Sequence, residues 1–378
     1  MTVESAAVQD TADRTGRLGS GASVVLEGVT KAYGGDVVAV DDIYLTIAPG
    51  EFITLLGPSG SGKTTTLNMI AGFATPTSGR VSIDGQIVND IPPHKRAIGM
   101  VFQQYALFPH MTVAQNVEYP LKQRKIAKDE RARMVQDSLA MVRLENYADR
   151  LPRALSGGQQ QRVAVARASV FSPSLLLMDE PLGALDKKLR EALQLEFRRI
   201  HRVLGATIVF VTHDQEEALV MSDRIAVFNE GRIEQLGSAV DLYESPATPF
   251  VANFLGESNM IHGEIRVNAA DVSLAGPVGD LRCRTSQVRA GAGVAMVRPE
   301  RMEIETDDVR RLPATDDVNR ITGTVSEIIY LGSQQRVLVD VGQEKRFVGI
   351  AAPDRPLAVG QSVTMAFPAE DTIGLANA

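Results

Sequence analysis

Phe52-Ile53-Thr54-Leu55-Leu56 runs straight into Gly57-Pro58-Ser59-Gly60-Ser61-Gly62-Lys63-Thr64, and Thr65-Thr66-Leu67 follows. The first five residues are bulky and almost wholly apolar, as in a strand covered on both faces. The next eight match G-x-x-x-x-G-K-[ST], placed between a strand and a helix start, which is the context that gives the pattern meaning. Glycines at 57, 60 and 62 let backbone N–H groups turn inward with no Cβ in the way. Such a loop cradles phosphate oxygens. Lys63 is placed to reach the β- and γ-phosphates of a nucleotide, and the Thr64 hydroxyl to bind Mg2+. Thr65 opens the helix, whose positive dipole end adds to the anion site. A strand–loop–helix of this kind predicts an α/β fold on a parallel sheet.

Two further apolar runs extend that sheet. Leu175-Leu176-Leu177-Met178 ends in Asp179-Glu180, and Thr207–Val211 ends just before His213. A carboxylate at a strand end, downstream of a phosphate loop, holds Mg2+ in nucleotide hydrolases, and Asp179 suits that role. Glu180 points elsewhere, so it is a candidate base for the attacking water. Charged and apolar residues recur at helical spacing over Asp129–Val142 and Lys187–Leu204.

Leu155-Ser156-Gly157-Gly158-Gln159 precedes a helical stretch expected over Gln160–Val170. Ser156 can cap that helix while Gly157 and Gly158 leave its first amides bare, which makes a second anion site. LSGGQ between a phosphate loop and a strand ending in Asp-Glu resembles the signature of ABC transporter ATPases. The resemblance runs through nearly the whole chain. It implies that Tyr33 stacks on adenine and that Gln103, in Val101-Phe102-Gln103-Gln104, senses Mg2+ and the γ-phosphate. It matches Asp186, in Gly183-Ala184-Leu185-Asp186, to the D-loop, and His213 to the switch histidine on the γ-phosphate. Gly183 departs from the family, where many members carry Ser.

The phosphate loop and the signature each offer an anion site, yet one ATP has one γ-phosphate. The family solution is a head-to-tail pair, with each ATP between the phosphate loop of one chain and Ser156–Gln159 of the other, most simply as a C2 homodimer. The resemblance also implies two membrane permeases, a solute-binding protein acting through them, and a peripheral place on the cytoplasmic face of the inner membrane. The apolar segment Tyr105–Met111, just after Gln103, is expected to edge the groove that receives a permease helix.

After about Gly256 the pattern changes to short alternating runs with turns: Ile261–Val267, Val294–Ile304, Ile321–Tyr330, Arg336–Val341 and Ser362–Phe367. This all-β part resembles the OB-like TOBE domain of one importer subfamily. Val297-Arg298-Pro299-Glu300-Arg301 and Tyr330-Leu331-Gly332-Ser333 look like its recurring pieces. Two similar runs, from Ile261 and from Ile321, imply two small barrel-like lobes joined through Asp307–Asn319. The expected organisation is a disordered tail over residues 1–21, an ABC ATPase domain over 22–256 and the β domain over 257–378. Val251–Asn259 and Pro181–Asp186 look most like polyamine (spermidine/putrescine) importers. Ferric iron, sugar or another small solute is the alternative cargo.

Composition agrees with this reading. With 44% hydrophobic and 22% charged residues, the chain is ordinary for a globular protein. No run approaches the roughly 18 apolar residues of a membrane helix, and the first residues lack the apolar stretch of a secretory signal. A net charge of −7 argues against a nucleic-acid partner. Cys283 stands alone, so no disulfide can form within the chain. Two rivals are a soluble ABC ATPase of ribosome or repair type and an ATP sensor without turnover. The first usually carries two cassettes or long coiled coils, and Glu180 with His213 argues against the second.

Overall fold

The computed structural model describes residues 21–34, 37–183, 186–268, 272–284, 290–306, 311–313, 315 and 317–376. The expected tail therefore lies outside the described residues except for Gly21. The chain divides into two compact units, one up to Ala239 and one from Val240 onward.

In the first unit the strands Phe52–Leu56, Thr207–Thr212, Leu175–Asp179 and Gly99–Val101 lie side by side and parallel, and Arg224–Asn229 pairs parallel on the other side of Phe52–Leu56. Arg232–Gly237 closes that edge antiparallel. Alternation of side chains in a strand sends them to opposite faces, and both faces here are buried. Leu176, Met178, Ile208 and Phe210 pack against helices Val113–Gln123, Gly157–Ser169 and Lys187–Leu204. Leu175, Leu177, Val209 and Val211 pack on the opposite side with helix Lys63–Ala71 and an antiparallel sheet built from Val24–Tyr33, Val37–Ile47, Ser78–Ile83 and Gln86–Ile87. This two-sided burial is why these strands read as continuous apolar runs. This antiparallel sheet was not among the elements expected from sequence.

The parallel strands end in step. Leu56 pairs with Thr212, Asp179 with Val211 and Val101 with Met178. In open α/β sheets the crevice beyond the carboxyl ends of the strands is the binding edge. The phosphate loop, Gln103, Glu180 and His213 all leave the sheet there.

The second unit opens in helix Ala239–Glu244, and helix Pro249–Phe254 follows, whose Ala252 packs with Met296 and Leu375. The buried Arg298 donates to Ala252 O and Tyr243 O. These contacts tie residues 240–256 to the β part, so the units part before the change of sequence pattern at Gly256. Two five-stranded antiparallel sheets follow. Asn259–Val267 is the central strand of one and Val318–Tyr330 of the other, so the two similar runs occupy equivalent places. They do not form separate lobes: Ile261, Leu274 and Val297 share one core with Ile321, Val337 and Phe367. The run Val294–Ile304 is broken by a short 3-10 turn at Pro299–Arg301, because proline lacks the N–H a ladder needs. Of the expected connection, residues 307–310, 314 and 316 lie outside the described residues.

Candidate active site

The loop after Leu56 is shaped by close backbone approach. A Cβ on Gly57 would lie 2.3 Å from Phe228 O, and one on Gly62 would lie 2.5 Å from Ala39 O, with Gly62 also at φ +99°. No other residue fits either place. Ser59 and Gly60 are exposed at the mouth while Ser61, Gly62 and Lys63 are buried. Lys63 Nζ donates to Gly57 O at 2.8 Å, Pro58 O at 2.7 Å and Ser61 Oγ at 3.3 Å. All three ammonium hydrogens are engaged, so the loop is held open in phosphate-binding shape by its own cation. Burial pulls the Lys63 ammonium below its ordinary value, and the Glu180 and Asp179 carboxylates oppose that.

Thr64 Oγ1 donates to Asp179 Oδ1 at 3.0 Å. Magnesium takes oxygen ligands at about 2.1 Å in an octahedron, so adjacent ligands lie about 3 Å apart. The observed pair is thus already at the spacing of two neighbouring ligands of that ion. Burial pushes the Asp179 carboxyl up, and the Glu180 carboxylate adds to the effect. A carboxylate strained in this way is one that a cation would relieve. Among the described residues no group of three or more His, Cys, Asp or Glu is placed to hold a metal. The remaining ligands would come from phosphates and water, as is usual for this ion.

Glu180 stands between two partners. Gln103 Nε2 donates to its Oε2 at 3.1 Å, and His213 Nδ1 lies 3.3 Å from its Oε1. Its backbone is left-handed, at φ +42°, with the N–H given to Val211 O at 3.0 Å. Such a conformation costs a non-glycine residue about 1–3 kcal/mol and clusters at functional sites. His213 is half exposed, so the carboxylate lies at the open rim of the crevice.

Ser156 forms a capping box with Gln159. Gln159 N donates to Ser156 Oγ, and Ser156 N donates to Gln159 Oε1 at 2.9 Å. Gly157 is exposed, whereas Gly158 is buried against Leu189 of the following helix. Asp186 caps that helix by accepting from Leu189 N at 3.0 Å. Tyr33 is 48% exposed, with Lys31 Nζ 4.9 Å from its ring centroid. Thr65 lies half-buried in the helix after the loop. The sheet edge therefore gathers residues 57–64, Gln103, Asp179, Glu180 and His213. Among the described residues no hydrogen bond or ion pair joins Tyr33, Asp186 or Ser156–Gln159 to them.

Sequence reasoning missed a network beneath His213. Thr212 Oγ1 donates to Glu217 Oε2 at 2.6 Å, Glu217 N to Asp214 Oδ1 at 3.2 Å, and Arg190 Nη1 to Asp214 Oδ2 at 2.6 Å. The signal was present as Asp214-x-x-Glu217, a helix-start pattern. Beside Gln103 a groove of about 850 Å3 opens, with Ala106, Phe108 and Tyr119 among its lining residues. Phe73 and Phe102 face each other at 6.0 Å on its wall, both exposed. Tyr105 and Leu107 turn instead toward the core, so the segment Tyr105–Met111 only partly edges the groove.

Comparison with known proteins gives the family. The ABC transporter profile matches residues 40–183 and the TOBE domain profile residues 295–375. The spermidine/putrescine import ATP-binding protein PotA of Acidothermus cellulolyticus is 48% identical over 338 residues, 88% of this chain and 87% of that protein. The chain belongs to the ATP-hydrolysing subunits of ABC transporters. The protein of the same description from Thermobifida fusca is 52% identical, covering 82% of this chain and 81% of its own length. A dimeric bacterial ABC transporter cassette aligns with 57% of this chain and 98% of its own, at 38% identity and a TM-score of 0.52. The same cassette, as a dimer in a post-hydrolysis state bound to ADP and Pi, aligns equally well. Among the described residues no helix is long and apolar enough to cross a membrane.

Proposed function

We propose that this ABC ATPase drives polyamine import, working as a homodimer beneath two permeases that a solute-binding protein supplies with spermidine or putrescine. The cargo rests on the relatives, since no residue described above touches it. The observation that carries the hydrolytic mechanism is Glu180 held between Gln103 and His213 one residue from Asp179.

ATP binds with its phosphates in the loop Gly57–Thr65 and its adenine against Tyr33. An arriving phosphate exchanges at least one neutral acceptor of Lys63 for a charged one, a stronger partner for a buried ammonium. Thr64, Asp179 and Gln103 would hold Mg2+, which when bound neutralises charge on the β- and γ-phosphates. Glu180 takes the proton of the attacking water. His213 and Gln103 orient its carboxylate and report the γ-phosphate. Ser156, Gly157, Gly158 and Gln159 of the second chain close over the same phosphate, with Asp186 at the seam. The groove beside Gln103, apolar and rimmed by exposed phenylalanines, receives a helix of a permease at the cytoplasmic face of the inner membrane.

The test is uptake. The chain, co-purified with its permeases and reconstituted in proteoliposomes, should accumulate spermidine or putrescine when ATP is supplied on its own side and the binding protein on the other. Accumulation of ferric iron or a sugar in place of polyamines would overturn the cargo and leave the engine standing.

A further inference from the structure

Arg167 is a charge in an unusual place. It sits in the last turns of helix Gly157–Ser169, 9% exposed, and among the described residues no carboxylate lies within ion-pair distance. Burying an unpaired charge is costly, and an apolar residue there would ordinarily be more stable. Its guanidinium instead donates to two consecutive backbone carbonyls, Nη2 to Tyr105 O at 2.9 Å and Nη1 to Ala106 O at 2.7 Å. Tyr105 and Ala106 are themselves unusual. Both are left-handed, at φ +59° and +46°, a pairing that non-glycine residues avoid unless the surroundings hold them. The Tyr105 hydroxyl is buried without a hydrogen-bond partner, so this residue is not held by its own polar group. The strained turn begins two residues after Gln103, whose amide reaches Glu180. Ser156 begins the same helix that Arg167 ends.

We infer that Arg167 is a positioning residue for hydrolysis: its planar fork locks the Tyr105–Ala106 turn, which sets Gln103 against Glu180, and its helix ties that turn to Ser156. The inference rests on the hydrolytic roles proposed above for Gln103 and Glu180. A lysine keeps the charge but has no fork and cannot hold both carbonyls in one plane. In Arg167→Lys the turn relaxes toward ordinary backbone and Gln103 loses its register. Closure of the second chain on Ser156 would then no longer be felt at Gln103.

The test is steady-state phosphate release by the full chain assembled with its permeases. Losing one charge-assisted hydrogen bond should lower kcat roughly tenfold, with KM for ATP unchanged because the phosphate loop is untouched. The same substitution in a Gln103→Ala background should change kcat less than about twofold, since residues acting through one another are not additive. Equal losses in both backgrounds, or a lowered melting temperature with kcat intact, would overturn the inference. Should Arg167→Lys not fold, Ala106→Pro breaks the same turn from the loop side, because proline cannot adopt φ +46°. It must likewise lower kcat at constant KM, and a wild-type kcat there overturns the inference. Gln103→Ala alone separates the two levels: a wild-type kcat in that variant refutes the role given to Gln103 before Arg167 is considered.

Discussion

Replacing Glu180 with Gln isolates the chemistry from the binding. The two side chains have the same size and reach. Glu180 Oε2 now accepts from Gln103 Nε2 at 3.1 Å, and Oε1 lies 3.3 Å from His213 Nδ1. The amide can keep its oxygen toward Gln103 and turn its NH2 toward His213 Nδ1. The variant should therefore fold with the same crevice. It cannot accept the proton of the attacking water. Removing a general base costs about 10²–10⁴-fold in rate, or about 3–5 kcal/mol in the barrier. Binding should survive or tighten. After burial, the Glu180 carboxylate is the group that raises the neighbouring Asp179 carboxyl, and neutralising it also removes a negative charge beside the site of the γ-phosphate. ATP would remain unhydrolysed between the phosphate loop of one chain and Ser156 and Gly158 of the other. Phosphate release measures the first effect. Size-exclusion chromatography with light scattering measures the second, as a shift from monomer to dimer with ATP and none with ADP. Hydrolysis at the wild-type rate refutes Glu180 as the base. Tight ATP binding by a chain that stays monomeric refutes the sandwich as a property of this chain alone.

Lys63→Ala should abolish tight ATP binding and turnover together, because it removes the loop's cation and takes away the Lys63 donor to Gly57 O and Pro58 O, the latter keeping only the Ser61 N–H; calorimetry with unchanged affinity would contradict the assignment. Burial first, and the Asp214 carboxylate second, hold the Glu217 carboxyl up at about 7, while Thr212, Arg190 and His213 pull it down. Since the folded value lies above the unfolded one, Glu217 favours the fold most below pH 4.5, its ordinary value. That contribution is lost as pH rises through about 7, up to about 3 kcal/mol in all. Glu217→Gln should accordingly flatten the decline of melting temperature between about pH 5 and pH 8, and an unchanged slope counts against it. A chain ending at Ala239 should stay soluble and bind ATP. One ending at Gly256 should aggregate more, because Ala252 would lose Met296 and Leu375, which pack on it; light scattering of the two truncated chains decides between the boundaries.

The sequence alone determined those parts of the protein whose physics is local. A strand buried on both faces, a glycine loop and a helix start are neighbours along the chain, so Phe52–Thr66 could be read directly and was found as strand, loop and helix. The same holds for Leu175–Asp179 and for the serine cap at Ser156, whose reciprocal bonds span three residues. The β part was legible as strands from alternation. Its pairing was not, and one shared core replaced the two expected lobes because the sheets bury each other's apolar faces. The residues at the sheet edge could be named from motifs. Their meeting at Glu180 depends on the in-step register of parallel strands far apart in sequence. Arg167 carried no signal at all. In the sequence it is one basic residue in a helix, and only packing brings it to the carbonyls of Tyr105 and Ala106. Which backbone is left-handed, and which buried charge must hold it, are set by contacts between distant segments, and no pattern of neighbouring residues encodes them.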